Sequence, residues 1–289
     1  MWTKNHVPPH ILVMTATPIP RTLAMTLYGD LDVSVIDELP VGRKPIKTIH
    51  LYETQRLRMF GFMREEIAKG RQVYIVYPLI KESEKLDLLH LEAGIEAISH
   101  EFPLPQYRIS IVHGKLSASD KEAEMQRFAR GETQIMVATT VIEVGVNVPN
   151  ASVMIIENAE RFGLSQLHQL RGRVGRGAEQ SYCILMSGSK LSKDARIRLD
   201  TMVRTNNGFE ISEIDMQLRG PGDIEGTRQS GVLDLKLANL VTDQAILQTS
   251  RDCVIRIFDE DPELSSERNL LLRQYFNQRE HGLVWNKIS

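Results

Sequence analysis

The chain holds only two cysteines, Cys183 and Cys253, far apart in sequence. That excludes a disulfide framework and the close ligand spacing of a zinc site, and it fits two reduced thiols. No apolar run approaches the ~18 residues that a membrane crossing needs. The opening residues, Met1-Trp2-Thr3-Lys4-Asn5-His6, have no apolar core after their charge, so they do not read as a secretory signal. Nor is there an excess of positive charge. The formal net charge is −2, so composition by itself gives no reason to expect nucleic acid. With 42% apolar and 25% charged residues, the 289 positions suffice for one large domain or two ordinary ones.

Charge placement says more than charge sum. Between Arg161 and Arg176 lie four arginines and no acidic residue. A local basic cluster can bind phosphate on an otherwise neutral chain.

Along the chain, His10–Thr15 reads as a short strand with no partner in its own segment, which suggests a piece of a larger fold. The stretch from Leu31 to Lys47, interrupted by Pro40, Gly42 and Pro45, reads as an interdomain linker. An αβ rhythm follows. Gln55–Lys69 places Leu57, Phe60, Met63 and Ile67 on one helical face, with Gly70 as the stop. Strands are expected at Gln72–Tyr77, Arg108–Val112, Gln134–Ala138, Ser152–Glu157 and Tyr182–Met186, with helices between them and caps offered by Ser117 and Ser119. Such alternation predicts an α/β fold, a parallel sheet flanked by helices, with ligands at the carboxyl ends of the strands. From about Leu191 the rhythm changes. Ser192–Arg204 and Glu210–Leu218 read as two helices around an Asn206-Asn207-Gly208 turn, ended by Arg219-Gly220-Pro221-Gly222. Met202, Ile211, Ile214 and Leu218 read as the contacts that hold this helical hairpin closed. The last stretch reads as helical with an acidic break at Asp259–Pro262.

The sharpest chemical signal is Gln166-Leu167-His168-Gln169-Leu170-Arg171-Gly172-Arg173-Val174-Gly175-Arg176-Gly177. Transfer of a γ-phosphoryl group needs permanent positive charge in a planar fork, which arginine supplies. Arg173 and Arg176, three apart, would share one face of a helical turn, and Gly172 and Gly175 would leave room for a phosphate.

This string resembles motif VI of superfamily 2 helicases and translocases, and other motifs of that superfamily occur in order. Thr15-Ala16-Thr17-Pro18 is similar to motif III, and Ala138-Thr139-Thr140-Val141-Ile142-Glu143-Val144-Gly145-Val146-Asn147-Val148-Pro149 to motif V. His113-Gly114, after a strand, is similar to the phosphate-backbone contact between motifs IV and V. Thr17-Pro18-Ile19-Pro20-Arg21-Thr22-Leu23-Ala24 is shared by RecG and the transcription-repair coupling translocase. Two further blocks resemble the RecG family more closely: Val35–Arg43, and Arg219-Gly220-Pro221-Gly222-Asp223-Ile224-Glu225-Gly226-Thr227-Arg228-Gln229-Ser230-Gly231, which looks like that family's translocation (TRG) motif.

The resemblance implies a RecA-like sheet followed by a C-terminal helical hairpin region. Residues 1–35 would be the end of a first motor domain, 36–48 a linker, 49–190 the second RecA-like domain, and 191–289 the hairpin, loop and C-terminal helices. It implies an ATP-dependent DNA helicase that remodels stalled replication forks and Holliday junctions in bacterial DNA repair and recombination, soluble in the cytoplasm near the nucleoid. Such a protein would act as a monomer, with single-stranded DNA-binding protein as a possible partner. The implied roles are charge stabilisation by Arg173 and Arg176, and ATP binding or coupling by Gln169, Gly172, Gly145, Asn147, Thr15 and Thr17. DNA-backbone contact falls to His113, Gly114, Thr139 and Thr140, and translocation to Arg219, Gly220, Gly222, Arg228 and Gln229. There is no Gly-x-x-x-x-Gly-Lys-Ser/Thr and no Asp-Glu-x-His/Gln, so ATP and Mg2+ would be held mainly by another motor domain, and the chain alone is expected to be inactive. Asn147 stands where the family usually carries Asp, keeping an amide but losing the charge. Two alternatives remain at this point: the transcription-repair coupling translocase, and a non-catalytic binding module.

Overall fold

The computed structural model of the chain describes residues 12, 14, 34, 36, 38, 42–78, 84–139, 148–177, 179–223 and 243–280. The strand expected at His10–Thr15 lies largely outside them. The described residues between 42 and 223 hold six strands: β1 (Lys47–Tyr52), β2 (Gln72–Tyr77), β3 (Ile109–Val112), β4 (Ile135–Thr139), β5 (Ala151–Ile156) and β6 (Tyr182–Ser187). They form one sheet in the order β1-β6-β5-β2-β4-β3, and every pairing is parallel. Parallel neighbours need crossovers, and the helices supply them: α1 (Arg56–Ala68), α2 (Glu84–Glu101), α3 (Ala118–Ala129) and α4 (Leu164–Arg171).

The sheet is covered on both faces, and β2 shows how. All six of its residues are buried. Val73, Ile75 and Tyr77 pack with Met59, Phe60 and Met63 of α1 and with Leu91 and Ile98 of α2. Tyr74 and Val76 join the opposite cluster, with Phe128 of α3 and with Leu164 and Leu167 of α4. A strand sandwiched this way reads as a continuous apolar run, which is why Gln72–Tyr77 is legible in sequence. Each large apolar side chain fully withdrawn from water contributes about 1.5–3 kcal/mol. Helix ends follow the expected chemistry. The Ser117 hydroxyl accepts from the Asp120 N–H at 3.1 Å, and Gly70 and Gly131 close α1 and α3 with φ of +80° and +73°.

Three details depart from the sequence reading. First, β1 was hidden at the end of the expected linker. Among the described residues it pairs with β6 alone, more than a hundred residues onward, and an edge strand with alternating partial burial carries little local signal. Second, Leu57 is 76% exposed rather than part of the buried face of α1. The place of the first-turn contact is taken by Arg56, whose guanidinium grips the buried carboxylate of Glu157 with two hydrogen bonds of 2.7 and 2.9 Å. Third, the hairpin's second helix does not stop before Arg219. The hairpin consists of α5 (Lys193–Arg204) and α6 (Gly208–Asp223), so α6 runs through Gly220-Pro221-Gly222. A proline in the last turn forfeits one backbone hydrogen bond, and the buried face upstream, with Ile211, Asp215 and Met216, outweighs it. Met202 and Ile211 are fully buried in the hairpin and Ile214 packs against the same cluster, as expected.

Residues 243–280 form two further helices, α7 (Gln244–Glu260) and α8 (Leu270–Glu280). The acidic break between them is organised by Asp261. Its carboxylate accepts from the N–H groups and hydroxyls of Ser265 and Ser266 and from the Asn269 amide, at 2.5–3.2 Å. Those bonds, the Ser266 hydroxyl first, hold the Asp261 carboxyl far below its usual range. No helix among the described residues is long and apolar enough to cross a membrane.

Candidate functional site

The arginine-rich string folds as a helix followed by a hooked loop. The Gly163 N–H is capped by the Gln166 side chain at 3.0 Å, and Leu164, Leu167 and Leu170 bury one face of α4. The helix ends at Arg171. The loop then hooks back, with Arg173 N–H donating to Leu170 O at 3.0 Å and Val174 N–H to Arg171 O at 3.3 Å. Gly175 takes φ +78°, a left-handed conformation that glycine adopts without a Cβ penalty. Arg173 and Arg176 therefore do not share a face of a helical turn, as the spacing had suggested. They lie in the loop on either side of Val174, which is wholly buried. Both act on one group of the sheet. Burial pushes the Tyr74 hydroxyl up to about 12, and the charges of Arg176 and Arg173 pull against that shift.

The glycines of the loop answer to protein neighbours. A Cβ on Gly175 would stand 2.9 Å from Ile46 Cγ1, and one on Gly177 would stand 2.9 Å from Pro149 O. Arg43 Nε donates to Gly175 O at 2.5 Å. Ile46 immediately precedes β1, and Pro149 lies just before β5. The loop thus sits at the amino-terminal edge of the sheet, not at the carboxyl ends where the general rule for such folds places ligands. The reason is connectivity. Helix α4 starts beyond the carboxyl end of β5 and must return to where β6 begins, carrying its last residues to the opposite edge.

His113, Gly114 and Thr139 do lie at the carboxyl edge, just past β3 and at the end of β4. Gly114 is exposed, with open space where a Cβ would be, and its carbonyl accepts from Lys121 Nζ at 3.1 Å. Among the described residues, His113 Nδ1 and Thr139 Oγ1 are buried polar atoms without a hydrogen-bond partner. Each such orphan costs about 1–3 kcal/mol, a penalty that the polar atoms of a ligand would relieve. The structure therefore separates the expected site residues into two groups on opposite edges of one sheet. Gln169 and Gly172 are exposed beside the loop, while Gly220 and Gly222 fall in the last turn of α6 with the backbone of Arg219. Thr15, Thr17, Thr140, Gly145, Asn147, Arg228 and Gln229 lie outside the described residues.

The sequence reading gave no role to Arg171, which is 2% exposed. Its guanidinium donates to Met202 O at 2.9 Å, Thr205 O at 2.8 Å and Thr48 Oγ1 at 3.4 Å, and lies 3.0 Å from His168 Nδ1. A second tie joins α4 to the hairpin, from the Ser165 hydroxyl to the Asp215 carboxylate at 2.7 Å. The usable signal was the position of Arg171 on the apolar stripe of α4, in step with Leu164 and Leu167.

His168 is held neutral by this arrangement. Burial first, and then the adjacent Arg171 charge, lower its pKa from 6.5 to about 4. Between those values the unfolded chain binds a proton that the folded chain refuses. Stability is therefore complete above the unfolded pKa and falls as the pH drops through the window. The slope contributed is at most about 1.4 kcal/mol per pH unit, less for a ring that solvent partly reaches. Urea midpoints compared at pH 5 and pH 7 test this against His168→Gln, which cannot titrate: the wild-type advantage shrinks at pH 5. An advantage independent of pH refutes the assignment.

Comparison with known proteins now bears on this geometry. Residues 205–289 match the family described as ATP-dependent DNA helicase RecG, domain 3, C-terminal, and residues 56–178 match the helicase conserved C-terminal domain. The ATP-dependent DNA helicase RecG of Synechocystis is 54% identical over 267 residues, which is 92% of this chain and 32% of that protein. That of Bacillus subtilis is 48% identical over 92% of this chain and 39% of its own length, and that of Escherichia coli K12 is 50% identical over 88% and 37%. A solved structure of RecG bound to a three-way DNA junction superposes with a TM-score of 0.63 at 44% identity, covering 81% of this chain and 30% of that one. The chain spans about a third of the length of the curated relatives it matches.

Proposed function

Because the chain belongs to the RecG family of ATP-dependent DNA helicases, we propose that it is the C-terminal motor portion of an ATP-driven translocase on double-stranded DNA that remodels stalled replication forks and Holliday junctions. The observation that carries the reading is the division of labour across one sheet. An arginine loop lies at the amino edge, and the unpartnered polar atoms of His113 and Thr139 lie at the carboxyl edge. In this reading residues 1–35 complete a first motor domain, 36–48 link the two, 49–190 form the second domain and 191–289 carry the hairpin, the translocation loop and the last helices. Arg173 and Arg176 reach across to the γ-phosphate of an ATP held by the first domain and stabilise its leaving charge. Gln169, Gly172, Gly145, Asn147, Thr15 and Thr17 line or couple that cleft, and the segment from Arg219 through Arg228 and Gln229 passes its state to the DNA. At the carboxyl edge His113, Gly114, Thr139 and Thr140 hold a DNA backbone, which carries no base sequence. ATP and its magnesium are held mainly by the first motor domain, in keeping with a sequence that carries neither the phosphate-loop string nor the acidic one. The protein works as a monomer on branched DNA near the nucleoid, with single-stranded DNA-binding protein as a further partner.

The test is made in a protein of the relatives' full length that carries this chain. His113→Ala and Thr139→Val are expected to weaken junction binding alike on unrelated sequences. Because Thr139 carries no charge, Thr139→Val is expected to leave the slope of log K against log salt nearly unchanged while the affinity falls. Weaker binding confined to particular sequences, or junctions left unmoved by ATP in the unsubstituted protein, would reject the reading.

A further inference from the structure

Arg171 is buried at the point where α4 gives way to the Arg173–Arg176 loop. A guanidinium cannot shed its charge, so burial obliges it to find acceptors. The acceptors it finds are the carbonyls of Met202 and Thr205, at the carboxyl end of α5. The last carbonyls of a helix lack partners within the helix, and its dipole favours a cation there. The contact is therefore well matched on both sides. Its planar fork also reaches Thr48 on β1 and neutral His168 on its own helix. One side chain thus joins α4, α5 and the edge strand of the sheet.

What it holds is the base of the arginine loop. Arg173 N–H and Val174 N–H both donate back to the last two residues of α4, one of them Arg171 itself, at 3.0 and 3.3 Å. We propose that Arg171 is a positioning residue for the arginine loop: by pinning the end of α4 to the end of α5 and to β1, it sets the place from which Arg173 and Arg176 project. The hairpin is then part of the support of the nucleotide-facing edge, and a shift of α5 along its axis moves the two arginines with it. The proposal rests on the assignment of Arg173 and Arg176 to the nucleotide.

The experiment uses the full-length protein with Arg171→Met, Arg176→Ala and the double substitution, measuring DNA-stimulated ATP turnover, KM for ATP and melting temperature. Misplacing a reacting group by about 1 Å costs about 10²-fold, so Arg171→Met is expected to lower kcat on that scale with KM for ATP changed by less than about threefold. Because Arg171 acts through a loop that also carries Arg173, the double variant is expected to be slower than Arg176→Ala by less than the factor that Arg171→Met costs alone. Losses that multiply in the double variant overturn the proposal, as does a folded Arg171→Met protein with unchanged kcat. Should Arg171→Met fail to fold, Arg171→Lys takes its place. It keeps the cation at the helix end but lacks the fork, so kcat is still expected to fall, and wild-type kcat in that variant overturns the proposal. If Arg176→Ala alone leaves kcat intact, the nucleotide assignment fails first, whatever Arg171 does.

Discussion

Arg176→Ala in the full-length protein is expected to lower kcat for ATP about 10³-fold, the scale of a trans-acting arginine at a transferring phosphoryl group. Binding of ATP should survive, because such an arginine meets charge that develops only in the transition state. The structure adds a reason to expect a clean result. Arg176 is exposed in a loop anchored by the buried Val174 beside it, so its removal leaves the fold's core untouched. Single-turnover kinetics with equilibrium nucleotide binding on the same preparation decide the matter. Weakened ATP binding with normal turnover at saturation would assign Arg176 to holding the ground state instead.

The second large effect concerns stability. Arg56 and Glu157 form a bidentate pair of 2.7 and 2.9 Å in which the carboxylate side chain is 3% exposed and the guanidinium side chain 31%. Removing the cation strands a charge in the core, which costs 3–5 kcal/mol in well-buried pairs; the partly exposed arginine places this one near about 3. At roughly 2–4 °C per kcal/mol for a domain of this size, Arg56→Ala is expected to lower the melting temperature by about 6–12 °C. Adding Glu157→Gln should restore a good part of that, because the stranded charge is then gone. A melting temperature unchanged within a degree in Arg56→Ala would show that water screens the carboxylate after all.

What could be read from sequence follows how local each cause is. Gln72–Tyr77 and Ala151–Ile156 are buried on both faces, so their whole length is apolar and visible as such. Helix stops at Gly70 and Gly131 and the cap at Ser117 depend on one residue and its neighbours. The errors fall where the cause is distant. Strand β1 exists because β6 lies beside it, and the first turn of α1 is tied down by Arg56 on Glu157, a residue about a hundred positions away. The candidate site divides the same way. The residues of the arginine loop were legible as a string, but their edge of the sheet was not, since that depends on where α4 must deliver the chain. Arg171 had the right spacing to be noticed, yet only the packed hairpin reveals what it holds.

The sheet itself behaves as a stiff plate. Every residue of β2, β4 and β5 is buried, and interiors packed this way resist compression and transmit strain. A plate that does not bend carries a push applied at one rim to the other, so a power stroke begun at the arginine loop would arrive at His113 and Thr139 as bodily displacement, over strands roughly 17–20 Å long. In the proposed translocase, substitutions inside the plate should therefore change how long the protein survives heating without changing the length of its stroke. Substitutions along either rim should do the reverse.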